Sequence, residues 1–281
     1  MNVDLGNVGP GSIAIELANM QLNDILARLN SVEDTLHAEL REDELSIDSS
    51  FVSATKVSIV IPVFNEQATV AQVIRRVAAL PLATELVLVD DASNDGTREI
   101  LSRLEGVEGV RLLLKEKNEG KGAALRDGFA LATGDIIVVQ DADLEYDPRD
   151  IPAVVRPIVL DETDVVFGSR YIGETKQDGS LIHRFGNWLL TEASNLFTGI
   201  RLTDMETCYK AFRSEVLKDL VIRQNRFGVE PEMTAKIARR GYRIQEVPIS
   251  YQARGYDEGK KIGVKDLFQA VYCIVRYGIA D

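Results

Sequence analysis

Ile136-Ile-Val-Val-Gln-Asp-Ala-Asp-Leu-Glu145 decides how this chain folds. It follows Gly134-Asp135 and sets four β-branched residues, Ile136 to Val139, just before acids at three alternate positions, Asp141, Asp143 and Glu145. A short continuous apolar run of this kind reads as a buried parallel strand. Open α/β sheets bind ligands beyond the carboxyl ends of their strands, so the acids stand where a site is expected. Carboxylates this crowded repel one another unless a cation joins them. The stretch therefore predicts a Mg²⁺ or Mn²⁺ site on Asp141, Asp143 and Glu145 that holds a diphosphate. A solvated acidic turn is the plainer alternative, because 27% of the chain is charged and Asp-x-Asp arises often by chance.

Upstream, the same plan repeats. Val57 to Val63 reads as a strand running into Pro62-Val63-Phe64-Asn65-Glu66, followed by helical spacing from Ala68 to Leu80. Glu85 to Val89 is a second strand. It meets the cap-rich turn Asp90-Asp-Ala-Ser-Asn-Asp-Gly-Thr97 and a helix from Thr97 to Leu104. A third strand, Val110 to Leu114, leads through Lys117-Asn-Glu-Gly-Lys-Gly122 to a helix from Ala123 to about Ala132. Strands alternating with helices at this spacing predict an α/β fold with a doubly wound, mostly parallel sheet. The turn Gly120-Lys121-Gly122 either offers backbone N–H groups and a lysine to a phosphate or is a plain tight turn. It has neither dinucleotide-fingerprint nor P-loop spacing, which argues against a dehydrogenase.

Composition narrows the partners. The chain has 281 residues, 45% of them hydrophobic, enough for one large domain plus accessories. The first fifty residues carry ten acids against Arg28 and Arg41, and so hold −8 of the −12 net charge. That balance argues against nucleic acid bound through bulk charge. Cys208 and Cys273 make no disulfide framework, and with His37 and His183 they make no zinc cluster. With no signal-like start and no apolar run of about 18 residues, the expectation is a cytoplasmic chain without a membrane span.

Both ends hold helical patterns. From Ile13 to about Glu44 the apolar positions Ile15, Ala18, Leu22, Ile25, Leu29, Val32 and Leu36 keep a/d spacing for about three heptads. This predicts either an oligomerisation helix, making the protein a homo-oligomer, or a helix lying along its own catalytic domain. Residues 1–50 thus form an extension and residues 51–281 the main domain, with Asp43 to Ser50 as the linker. A helix from Gly263 to about Tyr277 has Val264, Leu267, Phe268, Val271, Ile274, Val275 and Tyr277 along one face. It either dips peripherally into a membrane surface or packs on its own domain.

Four stretches in this order and at this spacing carry a family resemblance: Ile59-Val-Ile-Pro-Val-Phe-Asn-Glu66, Val89-Asp-Asp-Ala-Ser-Asn-Asp-Gly-Thr97, Asn118-Glu-Gly-Lys-Gly-Ala123 and Gln140-Asp-Ala-Asp-Leu-Glu145. They resemble the family 2 inverting glycosyltransferases of GT-A fold. Gly168-Ser-Arg-Tyr171, Thr203-Asp-Met-Glu-Thr-Cys-Tyr-Lys-Ala-Phe-Arg213, Phe227-Gly-Val-Glu-Pro-Glu232 and the run from Arg254 to Lys261 look like the dolichol-phosphate mannosyltransferase branch. The resemblance covers about residues 56 to 275.

It implies that Pro62, Phe64 and Glu66 lie against the nucleoside and that Asp90 and Asp91 recognise base and ribose. Lys121 joins the nucleotide-sugar contacts, and Asp141 and Asp143 match the metal-binding pair. Glu145 stands where the branch often has glutamine. Arg170, and Arg254 with Lys260, match basic residues near the diphosphate and the acceptor phosphate. Asp257 and Gly259 depart from the usual glycine and serine of that last loop. The implied reaction moves a hexose from UDP-glucose or GDP-mannose to a polyprenyl phosphate, an acceptor already anionic near neutral pH. If the acceptor is instead a hydroxyl, a carboxylate must take its proton, and Asp204 or Glu206 is the candidate. The further alternative is a silent scaffold that only binds a nucleotide-sugar. Arg184 is a weaker phosphate candidate, and Glu230 is read as a helix cap.

Overall fold

β1 (Val57–Val63) lies inside the sheet, with β2 (Thr84–Asp90) and then β3 (Val110–Leu114) on one side and β4 (Ile136–Val139) on the other, all parallel. The structure is a computed structural model and describes residues 55–82, 84–173, 181–253 and 264–280. Beyond β4 the sheet continues through β6 (Lys210–Arg213) to β5 (Val165–Ser169) and β7 (Ile244–Pro248), giving seven strands. β6 runs antiparallel to both neighbours. The expected doubly wound, mostly parallel sheet is present, with this one strand inserted against the grain.

Residue alternation decides the layers. Along β1 and β2, Ile59, Ile61, Leu86 and Leu88 face α1 (Val70–Ala78), α2 (Thr97–Ser102) and α4 (Ile151–Val159) in one buried cluster. Val60, Val87 and Val89 face the other way. They join Ala124 and Leu125 of α3 (Lys121–Leu131), Leu190 of α5 (Leu181–Thr198) and Met233 of α7 (Val229–Arg239). A fully buried Val, Leu or Ile stabilises by about 1.5–3 kcal/mol, so these two layers carry the fold. α3 can lie close to β1 because residue 128 is glycine: a Cβ there would sit 2.4 Å from Val60 Cγ1.

Boundaries shift modestly from the sequence reading. α3 starts at Lys121 rather than Ala123, because Gly120 (φ 99°) caps it. The last helix, α8, spans Val264–Ile279 and packs Ala270, Cys273, Ile274 and Tyr277 inward on α7 and α5. The helix therefore packs on its own domain through one face and leaves Leu267, Phe268, Val271 and Val275 of the predicted apolar stripe exposed. The remaining helix, α6 (Ser214–Lys218), follows β6 directly. The N-terminal extension, its heptad stripe, Arg254 and Lys260 fall outside the described residues. No helix among the described residues is long and apolar enough to cross a membrane.

Candidate active site

β1, β2 and β4 each end at the same edge of the sheet, and each is followed by a non-glycine residue of left-handed backbone: Asn65 (φ 56°), Ala92 (φ 64°) and Leu144 (φ 64°). Such conformations cost about 1 kcal/mol or more and persist where surrounding structure imposes them. The turns are laced together. Asn65 N–H donates to Ser93 Oγ at 2.9 Å, Asn94 N–H donates to Asn65 Oδ1 at 2.9 Å, and Ser93 N–H donates to Asp90. Phe64 stands 40% exposed on this edge, with Pro62 half-buried at the end of β1. Glu66 accepts from Thr69 Oγ1 at 2.7 Å.

The paired acids after β2 are turned inward. Asp90 is fully buried and ion-paired to Arg98 at 2.7 Å. Asp91 accepts from the N–H groups of Glu119 (3.0 Å) and Gly120 (2.6 Å) and pairs with Lys115 at 3.2 Å. Their carboxylates hold the site's own loops together, where the resemblance implied contact with base and ribose. The turn Gly120-Lys121-Gly122, offered as a phosphate cradle or a plain tight turn, is likewise engaged within the protein. Gly120 N–H is spent on Asp91 and Ala123 N–H on Asn225 O, and a Cβ at Gly122 would lie 2.2 Å from Gln224 O. These glycines admit a neighbouring loop.

At the end of β4, Asp141 meets Lys121, whose Nζ lies 2.8 Å from Oδ1, and Cys208 Sγ accepts from the same ammonium at 2.8 Å. Burial alone would raise the Asp141 pKa, but Lys121 outweighs it and holds the carboxyl below its usual range. Lys121 is thus largely buried beside Asp141 instead of reaching out to a phosphate. Asp143 Oδ1 accepts from Glu145 N–H at 3.1 Å, while Glu145 Oε2 accepts from Tyr251 at 3.0 Å. The three acids do not converge: among the described residues no three His, Cys, Asp or Glu side chains could hold one metal ion. The turn at Leu144 and the Tyr251 hydroxyl draw Glu145 aside. Asp141 and Asp143 still offer hard oxygens of the kind Mg²⁺ and Mn²⁺ take. Mg²⁺ is commonly held by one or two carboxylates with substrate phosphates supplying further ligands, so this donor set fits a substrate-completed site.

A second charged group lies behind β5. Asp204 is fully buried and receives Arg170 Nε at 2.7 Å and Nη2 at 2.8 Å, with Asn187 Nδ2 of α5 at 3.1 Å. The bidentate pair commits both partners, so Arg170 is turned to Asp204 and not to a diphosphate. Glu206 is different. Burial, and then Glu230 nearby, push its pKa up to about 7, and its Oε1 is buried without a hydrogen-bond partner. Glu230, read from sequence as a cap, is instead the buried partner of Lys210 at 2.5 Å. Arg184 is exposed. Sequence reasoning passed over Cys208 and Tyr251 as site residues, and nothing in their local spacing marks them; only the fold brings them to Asp141 and Glu145.

A seven-stranded, mostly parallel sheet flanked by helices, with a carboxylate pair beyond its central strand, is the GT-A glycosyltransferase fold. A crystal structure of glucosyl-3-phosphoglycerate synthase from Mycobacterium tuberculosis with uridine diphosphate superposes with a TM-score of 0.65 at 22% identity, covering 86% of this chain and 87% of that one. A structure of the same enzyme with Mn²⁺, uridine diphosphate and phosphoglyceric acid gives 0.62 at 22% identity, covering 83% and 81%. The family described as Glycosyl transferase family 2 matches residues 58–221, and this chain belongs to it. Among its relatives are dodecaprenyl-phosphate galacturonate synthase of Rhizobium johnstonii, 30% identical over 78% of this chain and 65% of its own, and an undecaprenyl-phosphate 4-deoxy-4-formamido-L-arabinose transferase of Aeromonas hydrophila, 31% identical over 78% and 66%. The chain spans about two thirds of the length of these relatives.

Proposed function

We propose that this chain moves a hexose from a nucleotide-sugar, UDP-glucose or GDP-mannose, to a polyprenyl phosphate, with inversion at the sugar carbon, at a membrane surface. The observation that carries the reading is a shared helix. α5 sends Asn187 to Asp204 in the site, and the same helix exposes Phe185, Trp188 and Leu189. Beside it α8 exposes Phe268, Val271 and Tyr272. Eleven of the fourteen large apolar side chains exposed among the described residues belong to these two helices. A contiguous apolar face of this kind suits peripheral contact with lipid and would bring a lipid-borne phosphate to the sheet edge. Both named relatives carry a polyprenyl phosphate and a sugar in their names, one as a synthase and one as a transferase.

Asp141 and Asp143 would hold a divalent ion against the donor diphosphate, with Phe64 and Pro62 flanking the nucleoside. When bound, Mg²⁺ or Mn²⁺ offsets the charge that develops on the leaving diphosphate. Arg254 and Lys260 add positive charge for the acceptor phosphate. That acceptor is an anion near neutral pH and needs no base. A hydroxyl acceptor is the second reading. It is favoured by one observation: Glu206 Oε1 is buried without a hydrogen-bond partner and burial pushes its pKa up to about 7, whereas Asp204 is held by Arg170.

The test incubates purified protein and Mg²⁺ or Mn²⁺ with UDP- and GDP-sugars, each with and without a short polyprenyl phosphate. Sugar transfer from one donor only when the lipid phosphate is present is the expected result; donor consumption indifferent to the lipid overturns the acceptor. Asp143→Ala is expected to abolish metal-dependent donor binding with an unchanged circular dichroism spectrum. Unchanged nucleotide affinity in Mg²⁺ would remove the metal site.

A further inference from the structure

Lys121 has the sequence context of a phosphate-binding lysine, yet its ammonium is held inside the protein. Besides the 2.8 Å contact with Asp141 Oδ1 it lies 3.1 Å from Oδ2, and its side chain is 15% exposed. Cys208 contributes no charge there, because burial and the neighbouring Asp141 push its thiol up to about 12. On the far side, Glu230 Oε1 stands 3.7 Å from Lys121 Nζ, buried and without a hydrogen-bond partner. The other oxygen of Glu230 is taken by Lys210, itself fully buried and donating to the carbonyls of Met205 and Thr207. Charges therefore alternate from the site inward: Asp141, Lys121, Glu230, Lys210. The open acceptor on Glu230 lies next to Lys121, whereas Lys210 is fixed by two carbonyls.

We propose that Lys121 is an internal counter-ion with two positions. In the free protein it neutralises Asp141. When Asp141 takes up a divalent cation, Lys121 yields and closes the gap to Glu230 Oε1. The inference rests on the proposed donor site, and it adds a rule for loading. A cation arriving alone must displace the ammonium from Asp141 without help. A cation arriving with a diphosphate brings extra anionic ligands and displaces it readily. Metal and donor binding are then coupled through one lysine, and Glu230 is the positioning residue that receives it. Leaving a buried ammonium facing a divalent ion is costly, so the receiving carboxylate is a requirement of the scheme.

The experiment titrates Mn²⁺ into the full chain, reading free ion by electron paramagnetic resonance, first without nucleotide and then with UDP or GDP. For the wild type, weak binding alone and strong binding with one nucleotide are expected. Lys121→Met is expected to bind Mn²⁺ without nucleotide at least roughly tenfold more tightly, because the competing charge is gone. The same variant should show a smaller nucleotide-dependent enhancement than the wild type, because only the part due to displacing the ammonium is lost. Lys121→Arg keeps the charge and is expected to stay within a few-fold of wild type. Glu230→Gln removes the receiving charge and is expected to shift the opposite way, to weaker Mn²⁺ binding; it decides the matter if Lys121→Met does not fold. Unchanged or weaker nucleotide-free binding in Lys121→Met, while the wild type binds Mn²⁺ with nucleotide, overturns this inference and leaves the donor site standing. No Mn²⁺ binding by the wild type with either nucleotide overturns both.

Discussion

Ala92 follows the buried acids Asp90 and Asp91 in a left-handed conformation that alanine pays for and glycine does not. The surrounding hydrogen bonds from Ser93 and Asn94 hold it there, so Ala92→Gly is expected to raise stability by about 1 kcal/mol, measured by urea unfolding. Glu206 offers a test with a pH signature. Its carboxyl ionises near 4.5 in an unfolded chain and near 7 when folded, so the buried charge destabilises the protein increasingly as pH rises between those values. Glu206→Gln should match wild-type stability at pH 4 and exceed it by about 3 kcal/mol at pH 8. A constant difference across that range would show that Glu206 has a partner the geometry does not reveal.

Among the elements, the end of the sheet opposite the site is tied by one residue. Glu85, at the start of β2, accepts from Arg111 at 2.7 Å, Ser58 at 2.5 Å, Thr133 N–H at 2.8 Å and Lys56 at 3.1 Å, so it joins β1, β2, β3 and the turn before β4. Burial would raise its pKa, but these donors outweigh it and bring it down to about 2. A depressed folded value stabilises above the unfolded pKa and is lost as pH falls toward 2. Glu85→Gln should therefore cost about 2 kcal/mol at pH 7, and the gap to wild type should narrow below about pH 4.5, by thermal unfolding. Sequence alone displayed the strands here and hid the tie. Val57 to Val63 and Val110 to Leu114 were legible to the residue because short runs rich in β-branched and aliphatic residues between turn-forming stretches are a local signal. β6 was not legible as a strand, since a buried Lys210 depends on its ion pair with Glu230 twenty residues later as well as on the Met205 and Thr207 carbonyls. The site divides the same way. Asp141 and Asp143 announce themselves by position, whereas the pairs Lys121–Asp141 and Arg170–Asp204, which decide which charges are available, exist only after folding.

On the scale of the whole molecule, α5 and α8 give the protein one side that water covers poorly. Trp188→Glu combined with Phe268→Glu should weaken binding to vesicles containing anionic lipid by roughly tenfold or more, read by sedimentation, without lowering the melting temperature, because both side chains are more than half exposed. Undiminished binding would move the lipid contact elsewhere. The antiparallel strand β6 carries a different consequence, one for synthesis. β1 to β4 complete their mutual pairing by residue 139, but the outer edge of β4 is closed only when Lys210–Arg213 arrives. While the intervening residues are being translated, Ile136 to Val139 present an open, wholly apolar strand edge, the kind of edge that recruits foreign strands. The same four residues that place the acids are thus, until β6 is made, an edge on which the chain can mispair.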